Sequence, residues 1–103
     1  MTILVDDAIW WFRERKWCHM VSDESLEELH AFAERLGIPQ RGFQGDHYDL
    51  PEDYRNDAIG LGAREVSARE LLRRLQGAGL RLPPAARRAR FGPLGEPEGH
   101  RPR

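Results

Sequence analysis

The sequence contains a single cysteine, Cys18, among its 103 residues. One cysteine cannot form an internal disulfide, and it excludes a zinc finger built from cysteine ligands. No apolar run approaches the roughly 18–20 residues of a membrane span. The apolar residues before Asp6 are too few for a signal peptide. These absences predict a protein of a reducing, cytoplasmic compartment without a membrane partner.

Common catalytic and phosphate-binding motifs are also missing. Gly60-Leu61-Gly62 lacks a third glycine and follows a predicted helix instead of preceding one, so it does not form a phosphate-binding loop. Ser22 and Ser67 do not stand in a nucleophile elbow. Cys18 has only His19 as a neighbouring base, which disfavours a cysteine nucleophile.

The formal net charge is only -1, but it is unevenly distributed. Residues 1–80 carry 10 Lys/Arg and 15 Asp/Glu, whereas residues 81–103 carry 6 Arg and 2 Glu. We therefore predict one acidic domain over residues 1–80 and a disordered, basic Pro/Arg/Gly-rich tail over residues 81–103. The tail could contact nucleic acid or an acidic partner, but a solvated tail is the favoured interpretation, and the acidic domain offers no complementary basic face. A nucleic-acid partner is therefore disfavoured.

Apolar runs alternate with helical repeats along the predicted domain. Strands are predicted at Thr2–Val5, at Trp17–Val21 and at Ala63–Val66, and Phe43 could anchor a fourth strand. Three helices are predicted between capping and terminating residues: Ser25 to Gly37, Asp49 to Gly62 and Ser67 to Gly79. This order predicts a small α/β domain with about three helices and a three- or four-stranded, mostly parallel sheet.

Polar residues follow each predicted strand. They are Asp6-Asp7, Ser22-Asp23, Asp46 to Asp49, and Ser67. Ligands of parallel sheets bind beyond the carboxyl ends of the strands, so these segments are expected to meet at one edge. Each aspartate could instead serve only as a turn former or a helix cap.

The densest chemistry lies in Asp46-His47-Tyr48-Asp49. The predicted metal ligands are Asp6, Asp23, His47 and Asp49, since a divalent cation removes the repulsion between clustered carboxylates. Oxygen ligands suit Mg²⁺ or Mn²⁺, and histidine shifts the preference toward Mn²⁺, Fe²⁺ or Zn²⁺. His47 and His19 are the catalytic candidates, each as general base or ligand. His19 could also be a half-buried histidine beside Trp17.

Aromatic residues could form a substrate pocket next to these groups. The predicted pocket residues are Trp10, Trp17, Tyr48 and His30. Tryptophans of a small domain most often fill its core, but they could also stack on a planar ligand. His30 lies beside the apolar stripe of its helix, so it could belong to the helix flank instead.

Several short motifs of the sequence occur together in one known family. They are Val5-Asp6 at the end of a strand, the W-x-H-x-x-S-D segment Trp17–Asp23, Glu28-Leu29-His30, and His47-Tyr48-Asp49 followed by Pro51. In these motifs the chain, over about residues 2–80, resembles a small uncharacterised domain family of bacteria and their phages. That resemblance implies no mechanism, but it marks His19, Asp23, His30 and the His47–Asp49 tripeptide as a set.

Three hypotheses follow. The first is a metal-assisted hydrolase that acts on a phosphate-containing or nucleotide-like small molecule, with Mg²⁺, Mn²⁺ or Zn²⁺ as cofactor. The second is a non-catalytic module that binds a small ligand or a protein through the same His/Asp/Trp edge. The third is a purely structural tripeptide that fixes a turn. A homodimer stays open, because an unpaired edge strand can pair with a second copy.

Overall fold

A five-stranded sheet and three α-helices make up residues 2–82, the part of the chain that this computed structural model describes. The strands are β1 (Ile3–Val5), β2 (Trp10–Phe12), β3 (Arg15–Ser22), β4 (Tyr48–Pro51) and β5 (Arg64–Glu65). The helices are α1 (Leu26–Leu36), α2 (Glu52–Gly60) and α3 (Ala68–Gly77), with a 3₁₀ turn at Gln40–Gly42. The small α/β domain and its three helices are confirmed. The predicted tail disorder concerns residues 81–103, of which 83–103 lie outside the described residues.

The sheet is mixed, and the prediction of a mostly parallel sheet is wrong. β3 pairs antiparallel with β1, β2 and β4, and only β1 and β5 are parallel. The physical reason is a tight turn at Arg13 and Glu14, whose φ angles are 53° and 65°. Two consecutive positive φ values are typical of a two-residue hairpin turn, which returns the chain immediately as an antiparallel neighbour.

The number of strands also differs from the expected three or four. No strand was predicted at Trp10–Phe12, which forms β2. The strand predicted at Ala63–Val66 is the two-residue β5, which brings the sheet to five strands. Phe43 makes only an isolated bridge to Tyr48. The strand lies at Tyr48–Pro51 itself, so the tripeptide is part of the sheet and does not follow it.

β1 and β2 form one interrupted strand along the same edge of β3. Met20 lies between Val5 of β1 and Tyr48 of β4, and Trp17 lies between β2 and β4. β1 and β2 therefore both lie opposite β4 across β3. Between them, the four residues 6–9 face only Cys18 and His19. This bulge lets the chain turn the Asp6 side chain toward β3.

Local signals explain the ends of the helices. The side chains of Ser25 and Ser67 accept hydrogen bonds from the amides of Glu28 and Glu70, as the capping spacing predicts. Asp49 does not cap α2, contrary to the prediction. The N-cap residue is Pro51, which makes no side-chain cap, and Asp49 is instead held within β4.

The two faces of the sheet carry two apolar clusters. Alternate residues such as Val5, Cys18 and Met20 pack with α1 and α2 on one face. Leu4 and Val21 point to the other face, where they pack against α3. His19 is on the same face as Val21 but two residues earlier in β3, outside the cluster that packs against α3. Within residues 2–82, none of the helices has the length and apolar composition that a membrane crossing requires.

Candidate functional site

Asp6 and His19 are joined by three hydrogen bonds. The Asp6 Oδ1 atom accepts from the His19 amide at 2.6 Å, and Oδ2 lies 2.7 Å from His19 Nδ1. The Asp6 amide in turn donates to the His19 carbonyl at 3.3 Å. At the bulge, the Asp6 carboxylate thus accepts the hydrogen bond from the His19 amide that a backbone carbonyl would accept in a regular strand. In the neutral tautomer that this arrangement favours, Nε2 of His19 carries the lone pair.

His47 lies between two carboxylates. Its Nδ1 is 2.7 Å from Asp46 Oδ1, and its Nε2 is 3.2 Å from Asp49 Oδ1. All three residues are buried, and Asp46 has no exposed surface. Asp46 Oδ2 also accepts a hydrogen bond from the Leu82 amide at 3.0 Å and lies 3.6 Å from Arg81 Nη1. Each oxygen of Asp46 therefore has its own partner.

His19, His47 and Asp49 converge on one point. One potential ligand atom of each residue lies within 4.8 Å of the others. The convergence follows from the sheet, because His19 and Asp49 are directly paired between β3 and β4. His47 precedes β4, two residues before Asp49, and the two histidine rings meet edge to face at 5.1 Å. Two imidazoles and one carboxylate could hold a divalent transition metal and leave coordination positions open.

The charges around His47 shift its proton equilibrium. Burial lowers the pKa of His47, but the hydrogen bonds and charges of Asp46 and Asp49 raise the pKa by more, so it lies above the ordinary histidine value. Burial raises the pKa of Asp46, yet hydrogen bonds from His47 and Leu82 and the charges of His47 and Arg81 bring that pKa below its ordinary value. Without a metal, these effects favour an imidazolium between two carboxylates.

Trp10 contacts the cluster, and Trp17 lies next to Trp10 on the neighbouring strand. The Trp10 ring lies 4.5 Å from the His19 ring at an angle of 45°. Trp17 pairs with Trp10 across β2 and β3, and its indole N–H donates to the Phe12 carbonyl at 2.9 Å. The two tryptophans thus continue the face of the sheet on which His19 lies, and Trp10 is the one in ring contact with the cluster.

Asp23 is not brought to the cluster, although the sequence grouped it with Asp6. Its amide donates to the Thr2 carbonyl, and its carboxylate accepts from the Thr2 amide and from Arg74. Because β1 and β3 are antiparallel, Asp6 and Asp23 lie at opposite ends of the pair. Asp6 lies four residue steps along the strand from Thr2, which is about 13 Å.

Tyr48 and His30 form a separate cluster on the opposite face. Tyr48 alternates with His47 and Asp49 along the chain, so its side chain enters the core beneath α1. Its hydroxyl lies 2.7 Å from His30 Nδ1, and the His30 ring packs on Phe43 at 4.6 Å. Burial raises the pKa of the Tyr48 hydroxyl. This contact joins α1 to β4 behind the histidine cluster.

Sequence reasoning missed the role of Arg81 and Leu82, which were assigned to the tail. The structure places both against Asp46. One signal could have indicated this: Leu80 and Leu82 alternate as apolar residues directly after Gly79, whereas the prolines of the predicted tail begin only at position 83. An apolar alternation after a helix is typical of a segment that packs back on the domain.

Comparison with known proteins identifies a family but no activity. No curated protein and no solved structure matches the chain. The sequence matches the family described as Protein of unknown function (DUF4031) over residues 3–78, which includes all three members of the cluster. Since this match spans more than half of the chain, the chain belongs to the DUF4031 family of proteins of unknown function.

Proposed function

We propose that this domain is a metal-dependent hydrolase whose divalent cation is held by His19, His47 and Asp49. The observation that carries the proposal is the convergence of one donor atom from each residue within 4.8 Å. Metal–ligand bonds are roughly 2.0–2.2 Å long, so ligand atoms around one ion are about 3–4 Å apart. A small movement of the His19 and His47 side chains would bring the three donors to that spacing.

The partners of the two histidines support a metal. A histidine ligand commonly uses one nitrogen for the metal and donates the other N–H to a carboxylate, which fixes the orientation of the ring. Asp6 stands in this relation to His19 Nδ1, and Asp46 stands in it to His47 Nδ1. In this arrangement Asp6 orients a ligand and is not a ligand itself. Both histidines would bind the metal through Nε2.

The donor set narrows the choice of metal. Two imidazoles and one carboxylate favour Zn²⁺, Mn²⁺ or Fe²⁺ over Mg²⁺, which prefers oxygen ligands. A metal with only three protein ligands keeps positions for water and substrate. The cation would supply a bound water of lowered pKa and would polarise the substrate.

The surroundings support a planar, anionic substrate. The Trp10 ring beside His19 offers a face on which a base or another planar group could stack. A phosphate-containing or nucleotide-like small molecule would combine such a group with an anion that a metal attracts. Trp10 would position the ring, and His19 and His47 would hold the metal near the phosphate.

Metal binding can be tested by calorimetric titration of the metal-free 103-residue chain with Zn²⁺, Mn²⁺ and Mg²⁺. We expect one equivalent of Zn²⁺ or Mn²⁺ to bind more tightly than Mg²⁺. Asp49→Asn should weaken this binding at least tenfold, because it removes an anionic ligand. Asp57→Asn, at an exposed position on α2, is the matched control and should bind as the wild type does. Absence of binding to the wild type would reject the proposal.

A second candidate is a non-catalytic binding module. It is favoured by the burial of His47 and Asp49, because only about 10% and 7% of their side chains are exposed. A metal there could fix the fold and present Trp10 to a ligand without activating water. The two candidates differ in turnover: a metal-loaded wild type that hydrolyses phosphodiester or nucleotide substrates, and loses this activity with chelator, is an enzyme. Metal binding without turnover across such a panel favours the module.

A further inference from the structure

We infer that the C-terminal segment, Leu80–Leu82, positions His47 for the metal through a hydrogen bond from the Leu82 amide to Asp46. The inference rests on the metal site proposed above. It adds to that site a positioning element from outside the sheet, beyond residue 78, where the family match ends. The residues that would bind the metal do not change.

The C-terminal segment reaches the site by a defined path. α3 ends at Gly77, and Gly79 has a φ of 76°, a left-handed conformation that favours glycine. The turn is closed by a hydrogen bond from the Leu80 amide to the Leu75 carbonyl at 3.2 Å. Leu80 then packs against the apolar cluster beneath α3. This anchor directs the next two residues toward Asp46.

At its end, the C-terminal segment holds one oxygen of a buried carboxylate. The Leu82 amide donates to Asp46 Oδ2 at 3.0 Å, and the other oxygen, Oδ1, faces His47 Nδ1 at 2.7 Å. A carboxylate held at one oxygen has less freedom to rotate, so the hydrogen bond from Leu82 also fixes the direction of Oδ1. The direction of Oδ1 in turn sets the orientation of the His47 ring.

The backbone amide matters more to this arrangement than the neighbouring arginine. Arg81 Nη1 is 3.6 Å from Asp46 Oδ2, and its side chain is about one third exposed. At this distance the two groups share charge attraction without a hydrogen bond, so Arg81 constrains the direction of the carboxylate less than a bonded donor does. The amide of Leu82 makes a charge-assisted hydrogen bond to a carboxylate that has no exposed surface, and such bonds are stronger than neutral ones.

The first test removes the donor with a proline, which also replaces the leucine side chain and fixes φ. In the 103-residue chain, Leu82→Pro deletes the amide hydrogen, whereas the matched control Leu82→Ala keeps it and shortens the side chain. Zn²⁺ affinity is measured by calorimetry, and the melting temperature is recorded in chelator. We expect Leu82→Pro to bind Zn²⁺ about 10–100-fold more weakly, as other losses of a ligand's hydrogen-bond partner do. Leu82→Ala should bind within about threefold of the wild type, since its backbone donor is intact.

A second test uses the wild type and does not depend on the folding of a variant. If the C-terminal segment stabilises the metal-binding arrangement, the metal must stabilise the docked segment equally. Zn²⁺ should therefore slow tryptic cleavage of the Arg81–Leu82 bond, followed by mass spectrometry. Cleavage after Arg41, exposed in the 3₁₀ turn, reports any general stabilisation and should slow less.

The outcomes separate the two proposals. If the wild type binds no metal, the metal site and the inference both fall. If it binds Zn²⁺ but Leu82→Pro binds equally well, only the inference falls. Equal slowing of cleavage after Arg81 and after Arg41 would also overturn it. Weaker binding by Leu82→Pro than by Leu82→Ala, together with selective protection of the Arg81–Leu82 bond, supports it.

Discussion

Each histidine of the cluster has its own carboxylate partner at Nδ1, Asp6 for His19 and Asp46 for His47. The two carboxylates come from different local structures. The bulge between β1 and β2 presents Asp6, and the turn before β4 presents Asp46. That turn includes Gly45, whose φ of 99° suits glycine. The two rings are 5.1 Å apart, and each has the carboxylate partner that a metal-binding histidine commonly uses to fix its orientation.

Asp6→Asn tests the pair at His19. An asparagine oxygen can still accept from the His19 amide, but the change removes the charge that raises the basicity of the imidazole. We expect Zn²⁺ affinity to fall about 10–100-fold in a calorimetric titration. Asp7→Asn is the matched control, because its side chain is 78% exposed and lies next in sequence. Equal affinities of the two variants would show that Asp6 has no role in the site.

The thiol of Cys18, the neighbour of His19 in sequence, is predicted to be unreactive in the folded protein. Its side chain is fully buried on the opposite face from His19, and burial raises its pKa from 9.0 to about 12. At pH 8, roughly one thiol in ten thousand would then be ionised. We expect no reaction with a disulfide reagent in the folded protein and complete reaction in guanidinium chloride. Rapid reaction under native conditions would contradict this result and support a cysteine nucleophile.

The sequence indicated the members of the cluster better than their relationships. His19, His47 and Asp49 stood out by residue type and by position in short motifs. Their actual partners depend on strand pairing, which residue types do not reveal. Asp23 was grouped with Asp6 because both follow predicted strands, and that grouping requires parallel strands. Once β1 and β3 are antiparallel, the same reasoning places the two aspartates at opposite ends.

Among the elements, the hairpin between β2 and β3 decides the topology. Its turn uses Arg13 and Glu14 with positive φ, where Asn-Gly is the common choice. Sequence reasoning depends on such turn residues, and Arg13-Glu14 is not such a pair, so the hairpin was missed. The capped helices α1 and α3 were predictable, since Ser25 and Ser67 show the expected spacing to a glutamate.

Glu14→Gly should stabilise the protein, because glycine adopts a φ of 65° without the steric cost that glutamate pays. We expect the free energy of unfolding in urea to rise by about 0.5–1 kcal/mol. The same substitution at Glu34, an exposed position within α1, is the control. There it should lower stability by about 1 kcal/mol. A loss of stability in both variants would show that the turn is not strained at Glu14.

At the scale of the whole molecule, the site lies where the sheet extends past α3. The ion pair of Arg74 with Asp23 and the contacts of Leu71 with the sheet fix α3 at one end of that face. His19 and Asp49 occupy the face beyond it, and Leu82 returns from α3 to meet Asp46. The strands thus place the cluster, whereas the contact of Leu82 with Asp46 depends on where α3 ends.

This architecture predicts a large effect of metal on global stability. The proposed ligands come from β3 and from the segment Asp46–Asp49, which meet only in the folded protein, so the unfolded chain should bind the metal weakly. At a free metal concentration 100 times the dissociation constant, binding would stabilise the fold by about 2.7 kcal/mol.

For a domain of this size, that stabilisation corresponds to a rise in melting temperature of about 10–20 °C. Circular dichroism with and without Zn²⁺ measures the rise, and excess chelator should reverse it. Asp49→Asn should show a much smaller increase, whereas Asp57→Asn should behave as the wild type does. A rise of equal size in Asp49→Asn would mean that Zn²⁺ stabilises the fold from another place. A wild type that melts at the same temperature with and without Zn²⁺ would count against a site that joins the two strands.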